Sequence, residues 1–168
     1  MSTDPSAAAG PAPDLERVVA ETTEAIERDP SDADAYFRRG TAYSNAGDYE
    51  RTIEDMGRVI DLDPENSMAH NNRGVAYLCT GDPTSAVRDT SRAIELDPEY
   101  RDAYLNRGLA YSETGELDRA LADLDRCIEL DPSAWSGYRH RSIVHWMRGD
   151  KDASYRDYLR ARELQEQA

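Results

Sequence analysis

Small and apolar residues recur along the chain in two alternating helical stripes, and the whole alternation repeats every 34 residues. Tyr36, Gly40 and Tyr43 stand at i, i+4 and i+7, the spacing of one helix face. Stepping by the same period brings His70, Gly74 and Tyr77, then Tyr104, Gly108 and Tyr111, then Tyr138, Ser142 and His145 into those columns. A second stripe runs through Thr52 and Val59, Ala86 and Ala93, Ala120 and Cys127, and Ser154 and Ala161. Between the stripes stand Gly47, Gly81, Gly115 and Gly149, each followed by Asp48, Asp82, Glu116 or Asp150. Glycine closes a helix without a Cβ penalty. The acid that follows can cap the next helix, aspartate better than glutamate. Pro83 directly after Asp82 has no amide to lose there. The second stripes stop at Asp-Pro pairs: Asp29-Pro30, Asp63-Pro64, Asp97-Pro98 and Asp131-Pro132. The pattern predicts helix–turn–helix units whose apolar faces are buried only by stacking on one another.

Tyr104, Gly108, Tyr111, Ala120, Leu124 and Pro132 lie at the aromatic, glycine, tyrosine, alanine, large apolar and proline positions of one known repeat. From about Ala33 to Leu164 the chain resembles the tetratricopeptide repeat family. The resemblance implies an all-α fold, a right-handed α-solenoid of antiparallel helix pairs. The expected layout is a disordered tail over 1–13, whose small, polar, proline-rich composition disfavours packing. A single domain is expected over 14–168, with a lone helix at 14–30 and repeats at 33–66, 67–100, 101–134 and 135–168. The lone helix carries only the second-stripe positions, through Val18, Val19, Ala25 and Ile26. The last repeat is degenerate, with Ser142 and His145 in signature columns and no closing proline. Its final helix, through Tyr155, Tyr158 and Leu164, has no following helix in the pattern. That open end is a candidate for self-association as a homodimer or for a missing partner.

The net charge of −14 argues against nucleic acid, which needs a basic face, and against anionic membrane surfaces. No apolar run reaches the length of a membrane span. Cys79 and Cys127 are isolated, so a disulfide framework, a metal site and a redox motif are not expected, and a cytoplasmic location with reduced thiols is.

In all four repeats an arginine replaces the leucine of the family pattern: Arg39, Arg73, Arg107 and Arg141. Asp55, Asp89, Asp123 and Asp157 recur with the same period. Arg39 lies eight residues before Gly47 and Asp55 eight after it. In an antiparallel pair this puts both at one height, roughly 12 Å from the turn. Four ion bridges across the hairpins are expected; four repeated ligand sites are the alternative. Arg58, Arg92, Arg126 and Arg160, three residues after each aspartate, are expected to be solvated partners on the helix face.

The family resemblance implies a concave face built from the first helix of each repeat. The positions projecting from the packing columns are Phe37, Arg38, Thr41 and Asn45, then Asn71, Asn72, Val75, Leu78 and Cys79. Leu105, Asn106, Leu109 and Glu113 follow, then Arg139, His140, Ile143 and Trp146. Thr41, Val75, Leu109 and Ile143 form a largely aliphatic row, beside a polar row of Arg38, Asn72, Asn106 and His140. Asparagine donates and accepts, so it can hold a peptide backbone whatever the side chains. For Leu78 and Leu105, packing between repeats is the competing role.

Family members that clamp a chaperone's C-terminal carboxylate use lysine and asparagine. Only Asn72 and Asn106 match that set here, Phe37 and Leu105 replace basic or small residues, and Lys151 is the sole lysine, so such a clamp is not expected. His70, His140 and His145 form no HExxH or metal spacing, and most acids belong to the repeat. The leading expectation is therefore a non-catalytic adaptor that binds a peptide or helix of another protein, without a cofactor. A self-associating assembly unit is the alternative, and an enzyme the third class.

Overall fold

The structure is a computed structural model that describes residues 13–167, with side chains from residue 15 onward. Of the expected disordered tail over 1–13, residues 1–12 lie outside the described residues, and Pro13 already belongs to a helix. Among the described residues there are nine helices and no strand. They are α1 (Pro13–Arg28), α2 (Ala33–Asn45), α3 (Tyr49–Leu62), α4 (Ser67–Cys79), α5 (Pro83–Leu96), α6 (Arg101–Glu113), α7 (Leu117–Leu130), α8 (Trp135–Arg148) and α9 (Lys151–Gln165). They fall into two compact units divided after Pro64. No described helix is long and apolar enough to cross a membrane.

Each hairpin reverses at a glycine. Gly47, Gly81, Gly115 and Gly149 have φ between +77° and +88°, and no other described residue type takes a positive φ. That left-handed conformation costs an L-residue roughly 1–2 kcal/mol, so the glycine column is a backbone requirement. Asp48, Asp82 and Asp150 then accept from the amides of Arg51, Ser85 and Ala153, capping α3, α5 and α9. Glu116 makes no cap on α7. Its longer side chain accepts from Arg119 at 2.7 Å and from Thr114 Oγ1 at 3.2 Å instead.

The Asp-Pro stops are also hydrogen-bonded turns. Asp131 Oδ1 accepts from the Ser133 amide at 3.0 Å and its hydroxyl at 2.7 Å, and Asp29 accepts from Ser31 in the same way. The Ser133 hydroxyl, then its amide, hold the Asp131 carboxyl below the usual range. The Ser85 hydroxyl and amide do the same for Asp82. A depressed carboxyl stabilises the fold above its unfolded pKa, about 3.9, and that contribution is lost as pH falls through the lower folded value. Unfolding midpoints in urea should therefore drop below about pH 4, and Asp82→Asn/Asp131→Asn should flatten that drop.

In the first unit, α2 pairs with α3 and α1 lies against α2. Thr22 of α1 is buried, its hydroxyl donating to the Val18 carbonyl at 2.7 Å. Arg39 forks onto Asp55 through Nε and Nη2, both at 2.8 Å, while Nη1 donates to Thr23 Oγ1 of α1 at 3.2 Å. Its guanidinium sits 5.6 Å from the Tyr36 ring and 6.0 Å from the Tyr43 ring.

The second unit holds three hairpins, α4–α5, α6–α7 and α8–α9, with α5 packed on α6 and α7 on α8. Its core is built from small residues: Ala69, Ala76, Ala86, Ala93, Ala103, Ala110 and Ala120 are fully buried. Helices can approach closely only where side chains are short. At Gly108 a Cβ would stand 3.0 Å from Leu124 Cγ and 3.3 Å from the Ala120 carbonyl oxygen. Around that contact lies a cluster of Ala120, Leu121, Leu124 and Val144.

The expected ion bridges are present in this unit too. Arg73 forks onto Asp89, Arg107 onto Asp123 and Arg141 onto Asp157, at 2.6–2.9 Å. Arg107 also donates through Nη1 to Ser91 at 3.2 Å, and Arg141 to Asp125 at 2.6 Å. The later arginines are solvated on the helix face as expected, but their partner is not the aspartate three residues before them. Arg92, Arg126 and Arg160, like Arg58, pair with the acid three residues downstream, at Glu95, Glu129, Glu163 and Asp61. Arg58 also covers the Tyr36 ring at 5.8 Å.

Candidate functional site

The candidate residues lie on the first helix of each hairpin, and the two units present them separately. In the first unit, Phe37, Arg38, Thr41 and Asn45 of α2 line one cleft of about 430 Å³ with Leu15 and Val18 of α1. The Thr41 hydroxyl donates to the Phe37 carbonyl at 2.9 Å, so its hydrogen-bonding demand is met within the helix. Leu15 and Val18 complete an apolar wall that sequence columns did not assign to the site. α1 has no paired first helix in the repeat pattern, which hid its contribution.

In the second unit α4 touches α6 and α6 touches α8, so three first helices run side by side. Asn72, Val75, Leu78, Asn106, Leu109 and His140 are half-buried on them, and Arg139 is exposed. Asn71 differs from its neighbours. It is buried, donates to Tyr100 Oη at 3.3 Å and accepts from Asn106 Nδ2 at 2.9 Å. Its amide is thus an interior tie between α4 and α6. Asn106 keeps its carbonyl oxygen beyond that bond. Leu105 packs against the Ala120–Leu121–Leu124–Val144 cluster, most of which belongs to α7 of its own hairpin. Burial, then the Arg139 charge, push the His140 imidazole below its usual value. Burial pushes the Cys127 thiol up to about 11, and Cys79 is exposed.

Ile143 and Trp146 join different company. They line a cleft of about 300 Å³ between α8 and α9 with Lys151, Ser154, Tyr155 and Tyr158. Lys151 Nζ stands 5.8 Å from the Trp146 ring.

The arrangement of columns, caps and turn glycines is that of one helix-hairpin family. Profiles of the tetratricopeptide repeat match residues 22–54, 67–100 and 102–134, more than half of the chain. The chain belongs to the tetratricopeptide repeat family. Solved structures of tetratricopeptide-type solenoids superpose on it. MamA from Desulfovibrio magneticus RS-1 matches with a TM-score of 0.84 and 22% identity, covering 91% of this chain and 86% of that one. YrrB, titled a TPR protein with an unusual peptide-binding site, matches with a TM-score of 0.76 and 23% identity, over 91% and 79%. The first TPR of Spaghetti (RPAP3), bound to the HSP90 peptide SRMEEVD, matches with a TM-score of 0.68 and 26% identity, over 70% and 93%. No curated protein matches the chain by sequence. The repeat family accounts for the small-residue core and the turn glycines. The arginine–aspartate forks replace the family's leucine column in every repeat here.

Proposed function

We propose that this tetratricopeptide repeat protein is a non-catalytic interaction module that takes a peptide or helix of a partner protein along its first helices. The observation that carries the reading is the half-buried band of Asn72, Asn106, Val75 and Leu109 on adjoining helices of the second unit. Among the described residues the Asn72 amide has no side-chain hydrogen bond, and Asn106 spends only its NH₂ on Asn71. Amide groups with free valences beside aliphatic side chains suit a ligand held by its backbone and anchored by apolar residues. Peptide sites on YrrB and on the RPAP3 repeat support the reading by fold. Affinity in the micromolar range, roughly −8 kcal/mol, is expected for a site of this kind.

The test compares wild type with Asn72→Ala/Leu109→Glu in capture from native lysate, with circular dichroism verifying that the variant folds. A protein retained by wild type and lost by the folded variant supports groove binding. Identical captures place binding elsewhere on the molecule. A second reading, self-association through the α8–α9 end, draws on the apolar side chains exposed there, but the charge on that end favours another occupant.

A further inference from the structure

We infer that the exposed face of the α8–α9 hairpin is a docking site for an acidic amphipathic helix of a partner protein, seated as the first helix of one further hairpin would be. Among the described residues eight large hydrophobic side chains are exposed, and six of them belong to α8 and α9: Ile143, Trp146, Met147, Tyr155, Tyr158 and Leu159. Such concentration on one hairpin marks an interaction surface.

The chain itself shows what kind of element covers this face. One period earlier, Leu117, Ala120, Leu121 and Leu124 of α7 are the counterparts of Lys151, Ser154, Tyr155 and Tyr158. α8 packs on them, and its Val144 enters the cluster with 2% of its surface exposed. Seven residues before Val144, Gly137 rests on the other end of α7, where a Cβ would stand 2.8 Å from Ile128 Cγ1. The footprint is therefore a small residue and an aliphatic one, two helical turns apart on a single ridge.

The charge selects the occupant. Where α7 offers Leu117 and Ile128, α9 carries Lys151 and Arg162 at the corresponding positions, near the two ends of the footprint. The last 34 residues hold seven Lys/Arg and five Asp/Glu, a net +2, whereas the preceding 134 hold 13 and 29, a net −16. A helix with carboxylates flanking its ridge matches this face. A second copy of the chain matches it poorly. Outside α8 and α9 the described residues expose only Leu62 and Met68 among large hydrophobics. Among the described residues most of the exposed large hydrophobics that a second copy has to offer lie on this same hairpin, which carries the same positive sign.

The probe is a fluorescent, hydrocarbon-stapled peptide copying residues 135–148, which keeps the Gly137–Val144 ridge, with Arg139→Glu and Arg141→Glu. Arg148 is kept, because it pairs with Asp118 at 2.8 Å and the counterpart of Asp118 on α9 is Asp152. Its control carries lysine at the same two positions. Anisotropy titration against the full chain should show micromolar binding of the acidic peptide and about tenfold weaker binding of the control. Tyr155→Glu, at an exposed position and verified as folded by circular dichroism, should weaken the acidic peptide by about tenfold or more. Lys151→Glu/Arg162→Glu should reverse the preference between peptides. Asn72→Ala/Leu109→Glu should leave both titrations unchanged, separating this face from the groove. Equal binding of the two peptides, or of neither, overturns the proposal. So does sedimentation equilibrium showing a dimer that Tyr155→Glu dissociates, because a second copy would then be the occupant.

Discussion

Asp123→Ala should lower the unfolding free energy by about 3 kcal/mol, in the range for breaking a buried ion pair. Asp123 is 6% exposed and accepts two charge-assisted bonds from Arg107, Nε at 2.7 Å and Nη2 at 2.8 Å. Truncating it strands a largely covered guanidinium, which keeps only the Nη1 bond to Ser91 and the flanking rings of Tyr104 and Tyr111. At roughly 2–4 °C per kcal/mol for a chain of this size, the melting temperature should fall by about 6–12 °C. A shift below about one degree would mean that the pair contributes little, as exposed pairs do. Adding Arg107→Leu to Asp123→Ala should recover much of the loss, because an apolar pair needs no counter-charge. Urea titration of wild type and the two variants reads both statements. If the double variant is as unstable as the single, the cost lies in lost packing of the arginine stem and not in a stranded charge.

Leu124→Ala should be comparably severe, at about 2–5 kcal/mol, the range for a leucine truncated in a closed core. Leu124 is fully buried at the centre of the Ala120–Leu121–Leu124–Val144 cluster, so its removal leaves a void beneath α8 as well as within its own hairpin. Gly108 supplies the control. An added methyl there would meet Leu124 Cγ at 3.0 Å, so Gly108→Ala alone should destabilise through crowding. In the Leu124→Ala background the same methyl enters the void, so the two effects should fall short of additive by roughly 0.5–3 kcal/mol. Strict additivity in a double-mutant cycle would show that the two positions do not share space.

Much of the fold was legible because its determinants recur at one period. Gly47, Gly81, Gly115 and Gly149 stand where the chain must take a positive φ, and no other residue type appears in that column. The forks were legible for the same reason, since Arg107 and Asp123 lie equally far from Gly115. What escaped the sequence does not repeat. Asn106 and Asn71 are 35 residues apart, one step off the period, and the column of Asn71 otherwise holds Phe37, Leu105 and Arg139. No shared chemistry there announces a buried amide tie. The third arms of the Arg39, Arg107 and Arg141 forks are hidden likewise, because Thr23, Ser91 and Asp125 are different residue types serving one acceptor role. The clefts depend on α1 and α9, the helices for which the period supplies a neighbour on one side only.

The three-armed arginines have a consequence for how the array comes apart. Arg107 binds Asp123 on α7 with one edge of its guanidinium and Ser91 on α5 with the other, and Arg141 joins α9 to α7 in the same way. One planar cation thus belongs at once to the internal stability of a hairpin and to its coupling with the hairpin before it. In a linear array, cooperativity grows with the nearest-neighbour part of the energy. Loosening α8–α9 therefore also withdraws a bond from α7, and fraying of the last hairpin is felt by the next instead of stopping at the boundary between repeats.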